Sequence, residues 1–105
     1  MIFAFETSCD ETSTAILNQE GKLLSHIVSS QQVHQKYGGV VPEIASRMHL
    51  QILQTIVPQS LKEAKIELND VDIFCATCGP GLVGSLLVGS TMAKSMAISN
   101  NKLFY

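Results

Sequence analysis

The sequence is poor in basic residues and contains no long apolar run. Lysine and arginine together number 7 and the formal net charge is -2, which excludes a basic patch able to bind nucleic acid by electrostatics alone. Any RNA contact would therefore need another part of a larger protein. Met1 leads into apolar residues without a positively charged segment, and no uncharged run is as long as a membrane span. We expect a cytoplasmic chain with no signal peptide and no membrane contact.

The chain has only three cysteines, Cys9, Cys75 and Cys78, and this odd number without a signal peptide favours free thiols. Cys75 and Cys78 have C-x-x-C spacing, but a structural zinc site needs a second pair of Cys or His, which the sequence does not provide. A redox pair would begin at a helix N-terminus, whereas Cys75 falls in an apolar strand. We interpret both as core cysteines, and a role for the pair stays open.

Apolar residues make up 46% of the 105 positions, which is enough for one domain with a modest core. Apolar runs and alternation predict strands, and apolar residues three to five positions apart predict helices. The first three strands should be antiparallel, and the fourth should be a buried parallel strand. The predicted elements, in chain order, are strands 2–5, 12–17 and 22–30, a helix 42–64, a strand 73–77, a helix from Leu82 and a strand beginning at Leu103.

The first helix carries several position-specific signals. Pro42 suits its first position and Glu43 its first turn, and Glu43 and Arg47 form a favourable i,i+4 pair. Pro58 removes a backbone hydrogen bond and predicts a kink or a break. We interpret His49 as lining the boundary of the helix rather than binding metal. The apolar stripe is predicted to consist of Ile44, Ala45, Met48, Ile52, Ile56 and Leu61.

Residues 6–11 form a polar loop between the first two strands, and we expect this loop to project from the end of the hairpin. Glu6, Asp10 and Glu11 repel one another, so a folded loop carrying all three is usually offset by a metal, a cation or a proton. The loop is therefore a candidate site of chemistry. The alternative is an ordinary hairpin turn capped by Asp and Ser.

Two glycine-rich segments are further candidates. Gly38 and Gly39 allow a ligand to approach the backbone closely, or form a flexible crossover loop. The segment from Gly79 matches G-x-G-x-x-G, but it lacks the acidic residue that a dinucleotide motif places about 20 positions on, and Ser85 occupies the lysine position of a Walker A motif. An anion site at the helix N-terminus stays open, as does the alternative that small residues only allow this helix to pack closely.

Three longer motifs occur in order along the chain: ETSCDET at residues 6–12, HQKYGGVVPEIASRMH at 34–49 and GPGLVGSLLVG at 79–89. Together they resemble the N-terminal motifs of tRNA N6-adenosine threonylcarbamoyltransferase, a family formerly called glycoprotease or O-sialoglycoprotein endopeptidase. The resemblance implies an α/β fold, a single partial N-terminal lobe (residues 1–105) of an actin-like or Hsp70-like ATPase with ribonuclease H-like architecture. The family's noncatalytic bacterial paralogue shares this fold and the GPG turn but lacks the YGGVVPEIASR stretch.

The resemblance implies transfer of a threonylcarbamoyl group from threonylcarbamoyl-AMP to N6 of the adenosine beside the tRNA anticodon. The family performs this reaction in a cleft between two lobes, with a divalent metal (iron or zinc) and an adenylate nucleotide. Its H-x-x-x-H metal motif and its second lobe lie beyond Tyr105, so we expect a truncated fragment that is inactive alone and holds no metal or cofactor. Asp10 and Glu11 would be catalytic. The implied substrate-binding residues are Ser8, Cys9, Tyr37, Gly38, Gly39, Arg47, Gly79 and Gly81.

The resemblance also implies a protein partner, the noncatalytic paralogue, held through the helices that begin at Pro42 and Leu82. We expect the isolated chain to form a homodimer through the same two helices, and tRNA to be bound only by the full-length complex. Three alternatives stay open: a noncatalytic interaction module, a dinucleotide-binding module and a metallopeptidase, although no H-E-x-x-H motif is present. The residues predicted at the partner interface are Ser85, Gly89, Met92 and Ala93, which combine small and apolar side chains.

Overall fold

Across the described residues, 1–31, 38–39 and 41–105, the computed structural model contains one mixed five-stranded sheet with two long helices against it. The observed elements agree with the predicted ones to within one residue at each strand end. They are β1 Ile2–Glu6, β2 Glu11–Leu17, β3 Leu23–Ser30, α1 Pro42–Ala64, β4 Ile73–Ala76, α2 Val83–Ser99 and β5 Leu103–Phe104, with a short 3-10 turn at Leu68–Asp70.

The strand order β3-β2-β1-β4-β5 brings two chain turns to the same edge of the sheet. β1, β2 and β3 are antiparallel neighbours, as predicted, whereas β1 and β4 run parallel, with Phe5 opposite Ala76. Parallel strands end at the same edge, so the loop after β1 lies beside the turn after β4. The predicted order of three antiparallel strands, helix, strand and helix, followed by a further strand at Leu103, is confirmed.

The core lies between the sheet and the two helices. Phe3, Phe5 and Phe74 stack on the inner face, with ring centroids 4.7 Å apart for Phe3 and Phe5 and 6.1 Å apart for Phe3 and Phe74. Leu53 of α1 and Ala93 of α2 are fully buried in the same cluster, and burial of each large apolar side chain contributes roughly 2–3 kcal/mol. Within the described part of the chain, neither helix is long and apolar enough to cross a bilayer.

The buried stripe of α1 differs from the predicted one. Ala45 and Ile56 of the predicted stripe are buried, but the other predicted residues are only partly buried, and two polar residues, His49 and Ser60, take inner positions. β2 explains the difference, because its inner face carries threonines that hydrogen-bond to these polar residues. The full buried set is Ala45, His49, Leu53, Ile56 and Ser60.

α1 runs without interruption through Pro58, so the break predicted there is wrong, and the alternative of a kink stays a prediction. An interior proline costs a helix roughly 3 kcal/mol, and burial of Leu53, Ile56 and Ser60 on both sides of it offsets that cost. At the start of the helix, Pro42 takes the first turn as predicted. At its end, Lys65 adopts a left-handed conformation and its N–H bonds the last carbonyls.

The small residues of α2 pack inside the chain. Ser85, Gly89 and Ala93 are buried in the structure, and α2 contacts α1, β1 and β4. The prediction that these three residues form a surface for a partner helix is therefore wrong, because their side of the helix already lies against the chain's own sheet. Met92 is only partly buried, and its role at a partner interface stays a prediction.

Candidate active site

The polar loop at residues 6–11 includes the last residue of β1 and the first residue of β2. Hydrogen bonds from other parts of the chain to its backbone carbonyls hold it in place. The Ser8 carbonyl accepts a hydrogen bond from the Leu82 N–H (2.8 Å), and the Asp10 carbonyl accepts one from the Gln31 N–H (3.0 Å). Between them, the Cys9 carbonyl lies 2.8 Å from Nε2 of His49. Three successive carbonyls are thus held by three different parts of the chain: that of Ser8 by the start of α2, that of Cys9 by α1 and that of Asp10 by the segment after β3. We call residues 6–11 the acidic loop.

Thr7 anchors the acidic loop to α2, against the prediction that the whole loop projects from the hairpin. Its side chain is 1% exposed. The hydroxyl donates to the Ser85 carbonyl (2.6 Å) and accepts from the Gly89 N–H (3.0 Å). A Cβ at Gly89 would lie 2.5 Å from the Thr7 hydroxyl oxygen, so only glycine fits there unless Thr7 moves.

The turn between β4 and α2 packs directly on the acidic loop. Gly81 adopts φ +158, and a Cβ there would lie 2.6 Å from the Ser8 carbonyl oxygen. Of the predicted substrate-binding residues, Ser8 and Gly81 are therefore in contact, while Cys9 and Gly79 are exposed nearby in the same loop and turn. The Leu82 N–H at the start of α2 donates to Ser8, so this amide is not available to an anion.

The three carboxylates of the acidic loop have different environments. Glu6 accepts hydrogen bonds from the Ser8 N–H (2.8 Å) and the Ser8 hydroxyl (2.9 Å), so it stabilises the loop locally. Asp10 is half-buried and Glu11 is exposed at the start of β2. Among the described residues there is no group of three or more His, Cys, Asp or Glu that could hold a metal ion. The catalytic role of Asp10 and Glu11 stays a prediction.

His49 is the residue at this site that sequence reasoning missed. It is fully buried, with Nε2 near the Cys9 carbonyl and Nδ1 2.7 Å from the Thr12 hydroxyl. The sequence signal for its inward position is its spacing, because His49 lies four residues after Ala45 and four before Leu53, both on the inner stripe of α1. The sequence interpretation places His49 at the boundary of the helix, whereas the structure places it on the inner stripe.

Three of the remaining predicted substrate-binding residues, Gly38, Gly39 and Arg47, are exposed. The Arg47 guanidinium pairs with Glu43 at 2.7 Å, and both side chains are more than 70% exposed; this confirms the predicted pair. Gly38, with φ +73°, and Gly39 are exposed, and no atom of the described residues lies within 4 Å of the position of a Cβ at either glycine. Tyr37 lies outside the described residues.

The three cysteines are free thiols, as predicted, but only Cys75 is partly buried, while Cys9 and Cys78 are exposed. The interpretation of Cys78 as a core residue is therefore wrong, because β4 ends at Ala76 and Cys78 lies in the following turn. Burial raises the pKa of the Cys75 thiol. Cys75 lines a cavity of about 310 Å³ on the outer face of the sheet, together with Ala4, Ala15 and other small residues.

The sheet order and the loop at the ends of β1 and β4 define an actin-like ATPase lobe. A solved structure described as YeaZ from Pseudomonas aeruginosa superposes on 99% of this chain and 41% of that chain, with a TM-score of 0.78 and 21% identity. This likeness bears on the fold alone.

The family is shown by sequence. The family model described as tRNA N6-adenosine threonylcarbamoyltransferase matches residues 22–105, and the chain belongs to this family. A relative of that name from Kosmotoga olearia is 54% identical over 104 residues, which are 98% of this chain and 31% of the relative. Another from Desulfitobacterium hafniense is 60% identical over 97 residues, 91% of this chain and 28% of the relative. The chain therefore spans about a third of the length of these relatives.

Proposed function

We propose that this chain provides the acidic-loop side of an active site that transfers a threonylcarbamoyl group from threonylcarbamoyl-AMP to N6 of the adenosine beside the tRNA anticodon. The relatives named for this activity support the reaction class. The observation that carries the proposal for this chain is the acidic loop, whose backbone is fixed at three successive carbonyls while Asp10 and Glu11 stay partly or fully exposed. Fixed backbone with accessible carboxylates is the arrangement that general base catalysis needs.

The transfer is a substitution at the carbamoyl carbon. The N6 nitrogen forms a bond to that carbon, the bond from carbon to the phosphate oxygen breaks, and AMP leaves with the electron pair. N6 must also lose a proton, and its lone pair is delocalised into the purine ring, so removal of the proton during attack lowers the barrier. We assign this role to Glu11 or Asp10. Because a carboxylate repels phosphate, these residues should lie on the adenosine side of the reaction rather than beside AMP.

We propose that the metal and the adenylate take their ligands mainly from parts of the protein other than the described residues of this chain. The absence of a three-ligand group among those residues is compatible with this division. When bound, a divalent metal polarises a carbonyl or phosphoryl oxygen. Ser8, Cys9 and the turn at Gly79 and Gly81 would contribute contacts to the donor from the edge of the loop.

We propose that partner binding uses the outer surface of α1 and α2 instead of the buried small-residue stripe. Leu50 and Leu87 are 50% and 58% exposed, and with Met92 they line an apolar groove of about 400 Å³ that has no charged residue in its lining. An uncharged groove between two helices suits another pair of helices. In the full-length enzyme the occupant would be the noncatalytic paralogue, and in the chain alone a second copy would take its place.

An exchange experiment tests the proposed function. We define the joined enzyme as the Kosmotoga olearia relative in which this chain replaces the matching 104 residues. The joined enzyme should transfer threonylcarbamoyl to tRNA at a rate within about tenfold of the unmodified relative, since more than half of the exchanged residues are identical. The 105-residue chain alone should show no transfer. A folded joined enzyme that leaves tRNA unmodified would overturn the proposal.

A further inference from the structure

We propose that His49 is a positioning residue for the transfer reaction, acting through the acidic loop. Its imidazole contacts Cys9 and Thr12, the residues on either side of Asp10 and Glu11. The side chain is fully buried, so its effect on the reaction is indirect, and these two contacts connect it to the carboxylates. This inference rests on the proposed function, because it concerns the carboxylates assigned to the transfer.

The two ring nitrogens of His49 make two different bonds. A carbonyl oxygen can only accept, so the Nε2 that lies 2.8 Å from the Cys9 carbonyl carries a proton and donates it. The Thr12 hydroxyl, 2.7 Å from Nδ1, makes the second bond. The bond to Thr12 is buried and the bond to Cys9 is partly buried. Movement of the loop at either position therefore breaks a hydrogen bond to a ring nitrogen of the buried His49, which is costly.

α1 contributes a second brace close to the first. The Gln31 N–H bonds the Asp10 carbonyl at 3.0 Å, and the Gln31 side-chain amide donates to the Ala45 carbonyl at 3.1 Å. Ala45 is one turn before His49 on the inner stripe of α1. α1 therefore fixes the position of the loop that carries both carboxylates, through His49 and through Gln31. This position matters for the rate, because displacement of a catalytic group by roughly 1 Å can lower a rate about 100-fold.

The chain contains a natural control for this arrangement. Thr14, the next inward residue of β2, shares a hydrogen bond with Ser60 of α1. This second link also joins α1 to β2 and is also buried. Within the described residues, the Ser60 hydroxyl bonds to Thr14 and to the Ile56 carbonyl, and neither residue belongs to the acidic loop. Loss of the Ser60 link should reduce stability without changing the geometry of Asp10 and Glu11.

The test compares His49→Phe, His49→Gln and Ser60→Ala in the joined enzyme. His49→Phe removes both bonds and should lower kcat at least about tenfold while KM for tRNA changes less than about twofold. Glutamine places an amide donor near the position of Nε2, so His49→Gln should recover most of the lost kcat. Ser60→Ala should lower the melting temperature and leave kcat unchanged. Unchanged kcat in His49→Phe, no recovery in His49→Gln, or an equal loss in Ser60→Ala would each overturn the positioning role.

A second measurement uses the 105-residue chain and does not depend on activity. In Thr12→Val, which preserves the shape of the side chain and removes one bond, the backbone amide signals of Asp10 and Glu11 should shift and their order parameters fall. Signals at the distant β2–β3 turn, around Glu20, should not change. Unmoved signals at Asp10 and Glu11 would overturn the proposal even where His49→Phe fails to fold.

The two proposals can fail separately. Full activity in Glu11→Gln and Asp10→Asn would remove the proposed role of the carboxylates whatever the His49 variants do. If those two variants lose activity while His49→Phe keeps a normal kcat, the proposed role of the carboxylates is supported and only the positioning role of His49 is overturned.

Discussion

At the scale of single residues, Gly89 is required because Thr7 fills the space that a side chain would occupy. The Thr7 hydroxyl lies within the helix backbone of α2, between the Ser85 carbonyl and the Gly89 N–H. Gly84, on the same helix, is a matched comparison, because among the described residues a Cβ there would meet only the Ser46 side chain, with the hydroxyl oxygen at 2.7 Å. The Ser46 hydroxyl makes one exposed hydrogen bond, to the Pro42 carbonyl, and can rotate away at the loss of that bond. The buried Thr7 hydroxyl is instead held by two bonds to the helix backbone.

We therefore expect Gly89→Ala to destabilise the chain by about 1–3 kcal/mol, as overpacking does, although alanine is the better helix former. Gly84→Ala should change the free energy of unfolding by less than about 1 kcal/mol, since its gain in helix propensity offsets the displacement of Ser46. Urea unfolding of the chain measures both values. In Gly89→Ala combined with Thr7→Ala, the loss should be smaller than the sum of the two single losses; additive losses, or equal effects at Gly84 and Gly89, would contradict this packing.

At the scale of elements, local pattern was enough to find the strands and helices. Pro42 and Glu43 located the start of α1, and the apolar runs located β1 and β4. Pattern failed where a polar residue turned inward, because His49 and Ser60 depend on threonines of β2 that lie 37 and 46 residues away. Hydrophobic periodicity contains no information about such partners.

The candidate site was predictable in composition but not in geometry. The cluster of Glu6, Asp10 and Glu11 was visible in the sequence, and the parallel pairing of β1 with β4 brings Gly81 against Ser8 as strand topology requires. The bonds that fix the loop join residues about 20 to 80 positions apart. The three carboxylates also differ in environment, since Glu6 is bonded to Ser8 while Glu11 is exposed. The spacing of the three residues in the sequence does not reveal this difference.

At the scale of the whole molecule, the exposed groove on α1 and α2 predicts self-association of the chain. Leu87→Glu places a charge in this apolar groove, where burial of an unpaired charge is strongly unfavourable, and should convert a dimer into a monomer in light scattering at high protein concentration. Val28→Glu is the matched control, because Val28 is 50% exposed, close to the 58% of Leu87, but lies on β3 and faces away from the helices. A wild-type chain that is monomeric, or a dimer unaffected by Leu87→Glu, would contradict this interface.

The central claim is that the acidic loop supplies the base for threonylcarbamoyl transfer, and its most direct measurement is the single-turnover transfer rate of Glu11→Gln and Asp10→Asn in the joined enzyme. Because a positioned general base contributes typically about 100- to 10,000-fold, we expect at least one of the two variants to lose about 100-fold or more in rate. Stability should change by less than about 0.5 kcal/mol for the exposed Glu11. Glu20→Gln, an exposed carboxylate in the β2–β3 turn at the far end of the sheet, should keep the full rate. Transfer at the normal rate in both loop variants would contradict the claim.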